Sequence, residues 1–333
     1  HYRCGNYLVW IRCWDGYVLM VPLGAHKATL FGAAGVSTAD GYGYNANGYV
    51  GSGVYKNTID KFSFVTDENA TDVADAAYSL NSDAGTNSST HGYLAGGSSG
   101  AIHNYIQKFT FATDSNASDI GDLTLARYGL AGSSSSTHGY SSGGHDGTGF
   151  RNVIDKFPFA SDSNATDVGD CQTAYWISGS QSSTHGYLAG GHNGSAYMNQ
   201  IEKFSFSSDG NTSDVGDLLS LTSQCTGHQS DTHSYASNGS NNIAPYYAIK
   251  TIQKWSHASD SNSTDVGDMV TYGVTRAGTS STTHGYAAGG YWQAAPAYRN
   301  NIEKFAFASD GDATDVGDLS VSRGNLTGVS YNP

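Results

Sequence analysis

The sequence predicts an all-β fold, a β-propeller of four-stranded antiparallel blades, and three observations predict it. A block of wording recurs through 333 residues, with the anchor of "I-x-K-F/W" at Ile59, Ile106, Ile154, Ile201, Ile252 and Ile302, in steps of 47, 48, 47, 51 and 50 residues. The composition combines 43 Gly and 23 Tyr with only 14% charged residues, which suits short strands and polar turns and is too aromatic for a disordered chain. No apolar i, i+3, i+4, i+7 run is long enough for a helix. A period near 50 residues accommodates four short strands, and units that cannot bury both faces alone must pack on their neighbours.

Each strand has its own signal. In the copy that starts at Ala126, strand a is about "YGLAGSS", and strand b is "HGYSSGG", opened by a tight "SSSTHG" turn. Strand c is "NVIDKFPFA", and strand d begins at "DVGDC". The strand b marker "THGY" or its variant carries His91, His138, His185, His233 and His284, and a degenerate "ADGY" surrounds Asp40. The strand d marker "T/S-D-V/I-x-D" places Asp72, Asp119, Asp167, Asp214, Asp265 and Asp315 in phase with the rest. We read one domain over 1–333, with repeats near 28–76, 77–125, 126–172, 173–220, 221–271 and 272–320.

The order "LAR", short strand, "HGYLAGG", loop, "I-x-K-F", "DVGDL" resembles the kelch repeat, with Arg127, Arg276 and Arg323 before strand a and glycine pairs such as Gly143-Gly144 closing strand b. The Trp usual in the fourth kelch strand is absent from "TDVGD". The wording of residues 28–330 also resembles repeat proteins encoded by marine tailed phages and other marine microbes. These resemblances imply a propeller, and the second implies a virion or other extracellular assembly.

The terminal segment "LSVSRGNLTGVS" repeats strand a once more, so strand a has one signal more than the other strands. We therefore expect seven blades, with 321–333 supplying strand a to a closing blade whose other strands come from 1–27, at "YLVWIRCW" and "YVLMVPL". Six blades is the alternative. Closure of either ring removes exposed sheet edges.

A net charge of −13 argues against a nucleic-acid partner, and the longest apolar stretch, Tyr17 to Ala25, is too short for a membrane helix. The chain begins at His1, which points to processing or to a start within a longer protein. Cys4, Cys13, Cys171 and Cys225 lack metal-ligand spacing and read as buried thiols, with a Cys4–Cys13 disulfide left open.

Alternating strand direction puts the a–b turns and c–d loops on one face and the b–c loops and d–a links on the other. The first set hardly varies between copies; the b–c loops vary in length and chemistry, as a scaffold with one recognition face would show. The two long b–c loops carry Tyr246, Tyr247, Tyr291, Trp292 and Tyr298, the candidate residues for binding a protein partner or a surface glycan.

The "D-x-N-x-T-D" loop, as Asp162, Asn164, Thr166 and Asp167, begins like a calcium loop but lacks its sixth-position Gly and twelfth-position Glu. Weak Ca2+ sites are the alternative there to plain polar turns, and no other cofactor is expected. The THGY histidines and the Lys of "I-x-K-F" recur in every full copy, so they read as scaffold. No unique nucleophile, base and acid stand out. We expect a non-enzymatic recognition propeller; a secreted carbohydrate-active or copper-dependent enzyme is the alternative.

Overall fold

The computed structural model describes residues 41–333, apart from 242, 244–246 and 293–296, together with Ile11–Arg12 and Val18–Leu19. The chain divides into two compact units, His1–Ala39 and Asp40–Pro333. In the first, Ile11–Arg12 and Val18–Leu19 form a two-stranded antiparallel ladder.

The second unit is a propeller of six four-stranded antiparallel sheets. Strand a of blade 2 is Ala84–Asn87, followed by Ala131–Ser134, Ser178–Gln181, Thr226–Gln229 and Ala277–Ser280 in blades 3 to 6. Blade 1 takes Thr327–Tyr331 as its strand a, and its strands b to d are Tyr42–Ala46, Thr58–Ser63 and Thr71–Asp75.

The expectation of seven blades is therefore wrong. The C-terminal strand does join strands from the other end of the propeller, but it pairs Thr327 with Ala46 and Tyr331 with Tyr42 instead of joining residues 1–27. The surplus strand-a signal near Ala28 lies outside the described residues.

Glycine at the axis permits the narrow six-bladed ring. Every strand a carries a glycine whose missing side chain admits the backbone of the neighbouring blade. A Cβ on Gly85 would lie 2.3 Å from Gly328 O, one on Gly132 2.2 Å from Gly85 O, and one on Gly328 2.0 Å from Gly278 O; Gly179, Gly227 and Gly278 complete the circuit in the same way. No other side chain fits at such distances.

The repeated words now acquire contacts, and most reach across blade boundaries. The Tyr of each "HGY" packs on the aromatic pair of the next blade: Tyr93 on Phe157 and Phe159, Tyr140 on Phe204 and Phe206, Tyr286 on Phe62 and Phe64. Such rings, almost fully buried, each contribute roughly 2–3 kcal/mol through burial, plus about 1 kcal/mol per well-placed pair.

The c–d loop is a clasp. Its Asp takes the strand c Lys of the preceding blade, as in Lys61–Asp114 (2.8 Å), Lys156–Asp209 (2.9 Å), Lys203–Asp260 (2.6 Å) and Lys254–Asp310 (2.6 Å). Lys108–Asp162 and Lys304–Asp67 complete the set. Two positions on, a side-chain oxygen accepts the N–H of the preceding strand d, from Asn in five blades, as Asn116 does from Asp75 (2.9 Å) and Asn69 from Asp318 (3.0 Å), and from Asp312 in blade 6 (2.9 Å from Asp268 N). The ion pairs are partly exposed and each is worth less than about 1 kcal/mol, so their role is mainly alignment. Strand d, at the outer edge, presents two Asp per blade, which block edge-to-edge pairing.

Strand c also carries an acceptor that holds the link entering its own blade. Asp155 accepts from Thr124 N, Gln107 from Tyr78 N, Glu202 from Gln172 N, Gln253 from Leu219 N, Glu303 from Val270 N and Asp60 from Ser320 N. Arg127 and Arg323 pair with Asp155 and Asp60 with both side chains fully buried. Arg276 is not their equivalent in position. Gly273 is, because its carbonyl accepts from Gly239 N–H as that of Arg127 accepts from Gly97 N–H. Arg276 lies three residues further on, lines the channel, and still reaches Glu303 at 3.0 Å.

Among the described residues no helix is long and apolar enough to cross a membrane.

Candidate functional site on the loop face

The d–a links build the rim of the channel on the loop face. One residue in each adopts a left-handed backbone: Ser82 (φ 55°), Gly129 (69°), Trp176 (54°), Gln224 (59°), Thr275 (56°) and Asn325 (53°). Their amides run head to tail around the axis, from Ser82 to Asn325 O (2.9 Å), Gly129 to Ser82 O (2.7 Å), Trp176 to Gly129 O (2.7 Å), Gln224 to Trp176 O (3.0 Å) and Asn325 to Thr275 O (2.9 Å). Gly and Asn suit this conformation, whereas Trp176 and the β-branched Thr275 occupy it at a cost on the order of 1–3 kcal/mol each. These five rim hydrogen bonds hold them there, through the amide and carbonyl of Trp176 and the carbonyl of Thr275.

Beside the axis this rim forms the wall of an open depression with a cavity volume of about 320 Å³. Trp176, Tyr197, Tyr291 and Tyr298 supply its aromatic surface, and Gln224, Thr275 and Asn325 its polar groups. Trp176 is held by stacking on Tyr175, with centroids 4.2 Å apart and planes at 27°. Tyr175 in turn packs on Phe150 and His192. Tyr291 and Tyr298 face each other across a two-residue ladder at 5.1 Å, and Tyr298 meets Tyr49 of blade 1 edge-on at 5.8 Å. Burial raises the hydroxyl pKa of Tyr298, so it stays a neutral donor.

Of the residues expected from the long loops, the structure brings Tyr291 and Tyr298 together in this depression. Trp292 faces Tyr272 and lies under the Arg299 guanidinium, 5.1 Å from its centroid. Tyr247 is exposed in a separate turn with φ 54°. Tyr246 lies outside the described residues. Sequence reading missed Trp176, Tyr197, Gln224, Thr275 and Asn325. A signal for them existed: one repeat position reads Ser, Gly, Trp, Gln, Thr and Asn in successive copies, inside links that are otherwise alike.

The other candidates sit on the uniform face or in its loops. Asp162 pairs with Lys108, Asn164 Oδ1 accepts from Asp122 N (3.1 Å), Thr166 opens strand d opposite Lys156, and Asp167 Oδ1 accepts from Gly169 N (3.2 Å). The Asp162, Asn164 and Asp167 oxygens thus each hold a group of the surrounding chain. Among the described residues no three or more His, Cys, Asp or Glu are grouped to hold a metal ion. The five THGY histidines each face the hydroxyl of the preceding Thr, as His91 Nδ1 does Thr90 Oγ1 at 2.8 Å, and burial lowers their pKa. Cys171 and Cys225 are free thiols whose pKa burial pushes up to about 12. Cys4 and Cys13 lie outside the described residues.

No family model matches the chain, and no curated protein matches it. The likeness to kelch repeats holds at the level of fold, in antiparallel four-stranded blades. A propeller with one uniform and one varied face suggests a protein-binding or recognition role.

Proposed function

We propose that this protein is a non-enzymatic recognition propeller, a component of a virion or another extracellular surface assembly, that engages a protein partner or a surface glycan through its loop face. One observation carries the reading. The face made of a–b turns and c–d loops is built from the same inter-blade contacts in every blade, whereas the loop face differs blade by blade and holds an aromatic depression. Scaffold contacts account for the recurring His, Lys, Asp and Asn, and what the scaffold leaves free to vary is the loop face. The partly buried Tyr and Trp side chains there are the residue types that dominate recognition energetics.

The test compares attachment of the protein to its target cells or particles in two variants. Tyr298→Ala with Trp292→Ala alters the loop face, and Ser136→Arg with Ser183→Arg alters the exposed turns of the uniform face. Attachment lost in the first and kept in the second supports the proposal. The reverse pattern overturns it.

A further inference from the structure

We infer that the depression bounded by Trp176, Tyr298 and Asn325 is a binding site for an uncharged saccharide, seated with a ring face against Trp176 and its hydroxyls toward the rim. This inference rests on the loop face being the recognition surface and names what that surface takes.

The lining sets the chemistry. None of the residues around the depression carries a charge at neutral pH, yet it holds two amides and several hydroxyls. A pyranose has the matching character, an apolar C–H face and an edge of hydroxyls that donate and accept. Gln224 and Asn325 offer a donor and an acceptor each, which suits vicinal hydroxyls.

Electrostatics exclude the acidic alternatives. The protein carries −13, much of it as the paired Asp of every strand d, so sialylated or sulfated glycans meet an unfavourable field and no basic residue in the depression to offset it. The size, about 320 Å³, lies at the lower end for small-ligand pockets and fits the end of a glycan better than the broad footprint of a protein. Preorganisation supports the same assignment. Trp176 is fixed by Tyr175 behind it and by the rim hydrogen bonds at its amide and carbonyl, so little side-chain freedom is lost on binding.

The experiment is an array of neutral, sialylated and sulfated glycans probed with the wild-type chain, Trp176→Gly and Asn325→Gly, with a melting curve for each; glycine keeps the left-handed backbone at both positions. Trp176→Gly makes the rim residue the same as Gly129 at the equivalent position, so its fold is retained by design. Retention of neutral, hexose-terminated glycans, weakened at least about tenfold in both variants with a cooperative melting transition retained, is the expected result. An empty array, retention confined to acidic glycans, or retention unaffected by Trp176→Gly overturns the assignment. An empty array with a protein partner lost in Trp176→Gly overturns the saccharide but leaves the loop-face reading standing. An empty array with attachment indifferent to every loop-face variant overturns both.

Discussion

Arg323 and Asp60, 263 positions apart in the chain, form a fully buried ion pair with Nη1 2.9 Å from Oδ2. The pair ties the last d–a link to strand c of blade 1, and Arg323 Nη2 also reaches Asn45 O at 2.9 Å. It therefore locks the blade that closes the ring. Arg323→Leu should cost about 3–5 kcal/mol, because it strands the Asp60 carboxylate away from water. Blade 2 shows the neutral solution, with Leu80 at the arginine position and Gln107 as acceptor. The double variant Arg323→Leu/Asp60→Gln should therefore recover most of the loss in urea unfolding. Equal losses in the single and double variants would refute the coupling.

Across the other blades charge follows the same rule, and Glu202 breaks it. Carboxylates at Asp60, Asp155 and Glu303 meet an arginine, and Gln107 and Gln253 do without one. Glu202 has the carboxylate with Ala174 at the arginine position, and burial raises its pKa. A carboxyl with a raised folded pKa favours the fold below its unfolded pKa and disfavours it as pH rises through the folded value. Glu202→Gln should therefore raise the melting temperature at pH 7 and leave it unchanged near pH 3. A lower melting temperature at pH 7 would show that the charge is compensated.

Asp83 makes the same argument at the channel. Its carboxylate accepts from Asn47 Nδ2 (2.8 Å) and Thr327 Oγ1 (2.8 Å), and burial pushes its pKa from 3.8 up to about 6. Stability should fall as pH rises from about 4 to about 6, by on the order of 3 kcal/mol from this group, and level off above. Asp83→Asn should remove that component. Chemical denaturation at pH 4, 6 and 8 measures it, and identical profiles for both proteins would exclude Asp83 as the cause.

The repeat, the strand order and the assignment of faces were legible in the sequence because each rests on local pattern, alternation and turn residues that any one copy displays. The count of blades was not. Seven strand-a signals compete for six slots, and the choice depends on how closely neighbouring strands approach the axis, a property of the whole ring. The glycines at positions 85, 132, 179, 227, 278 and 328 record that approach, but in a chain so rich in Gly they read as turn residues. The site was half legible for a similar reason. Tyr291 and Tyr298 stand out in long loops, whereas Trp176 and Asn325 come from short links of different blades and meet only after closure.

Gly132→Ala tests the axial limit. Its Cβ would sit 2.2 Å from Gly85 O, backbone against backbone, where nothing flexible can give way. The variant should unfold or open the ring, with loss of the cooperative melting transition. Gly149→Ala is the control, since no atom lies within 4 Å of its added methyl and its φ is not left-handed. There the change should be neutral or stabilising by about 0.4–1 kcal/mol. A cooperative Gly132→Ala protein melting near wild type would show that the ring can expand.

Removal of residues 327–333 tests closure itself. Thr327–Tyr331 contributes Gly328 to the axial circuit, Val329 to the core, Ser330 Oγ to Ser280 N (2.9 Å) and Tyr331 to Phe111 at 4.8 Å. Without it Tyr42–Ala46 becomes a sheet edge with its N–H and C=O groups unpaired, in the place most prone to recruit another chain. The truncated protein should lose its cooperative transition and associate at micromolar concentration. A peptide spanning 326–333 added in trans should restore a monomer with a sharp transition, because the slot and its partners remain on the protein. A truncated monomer that melts within a few degrees of the full chain would mean that the propeller is held by its blade-to-blade clasps and that the closing strand is dispensable.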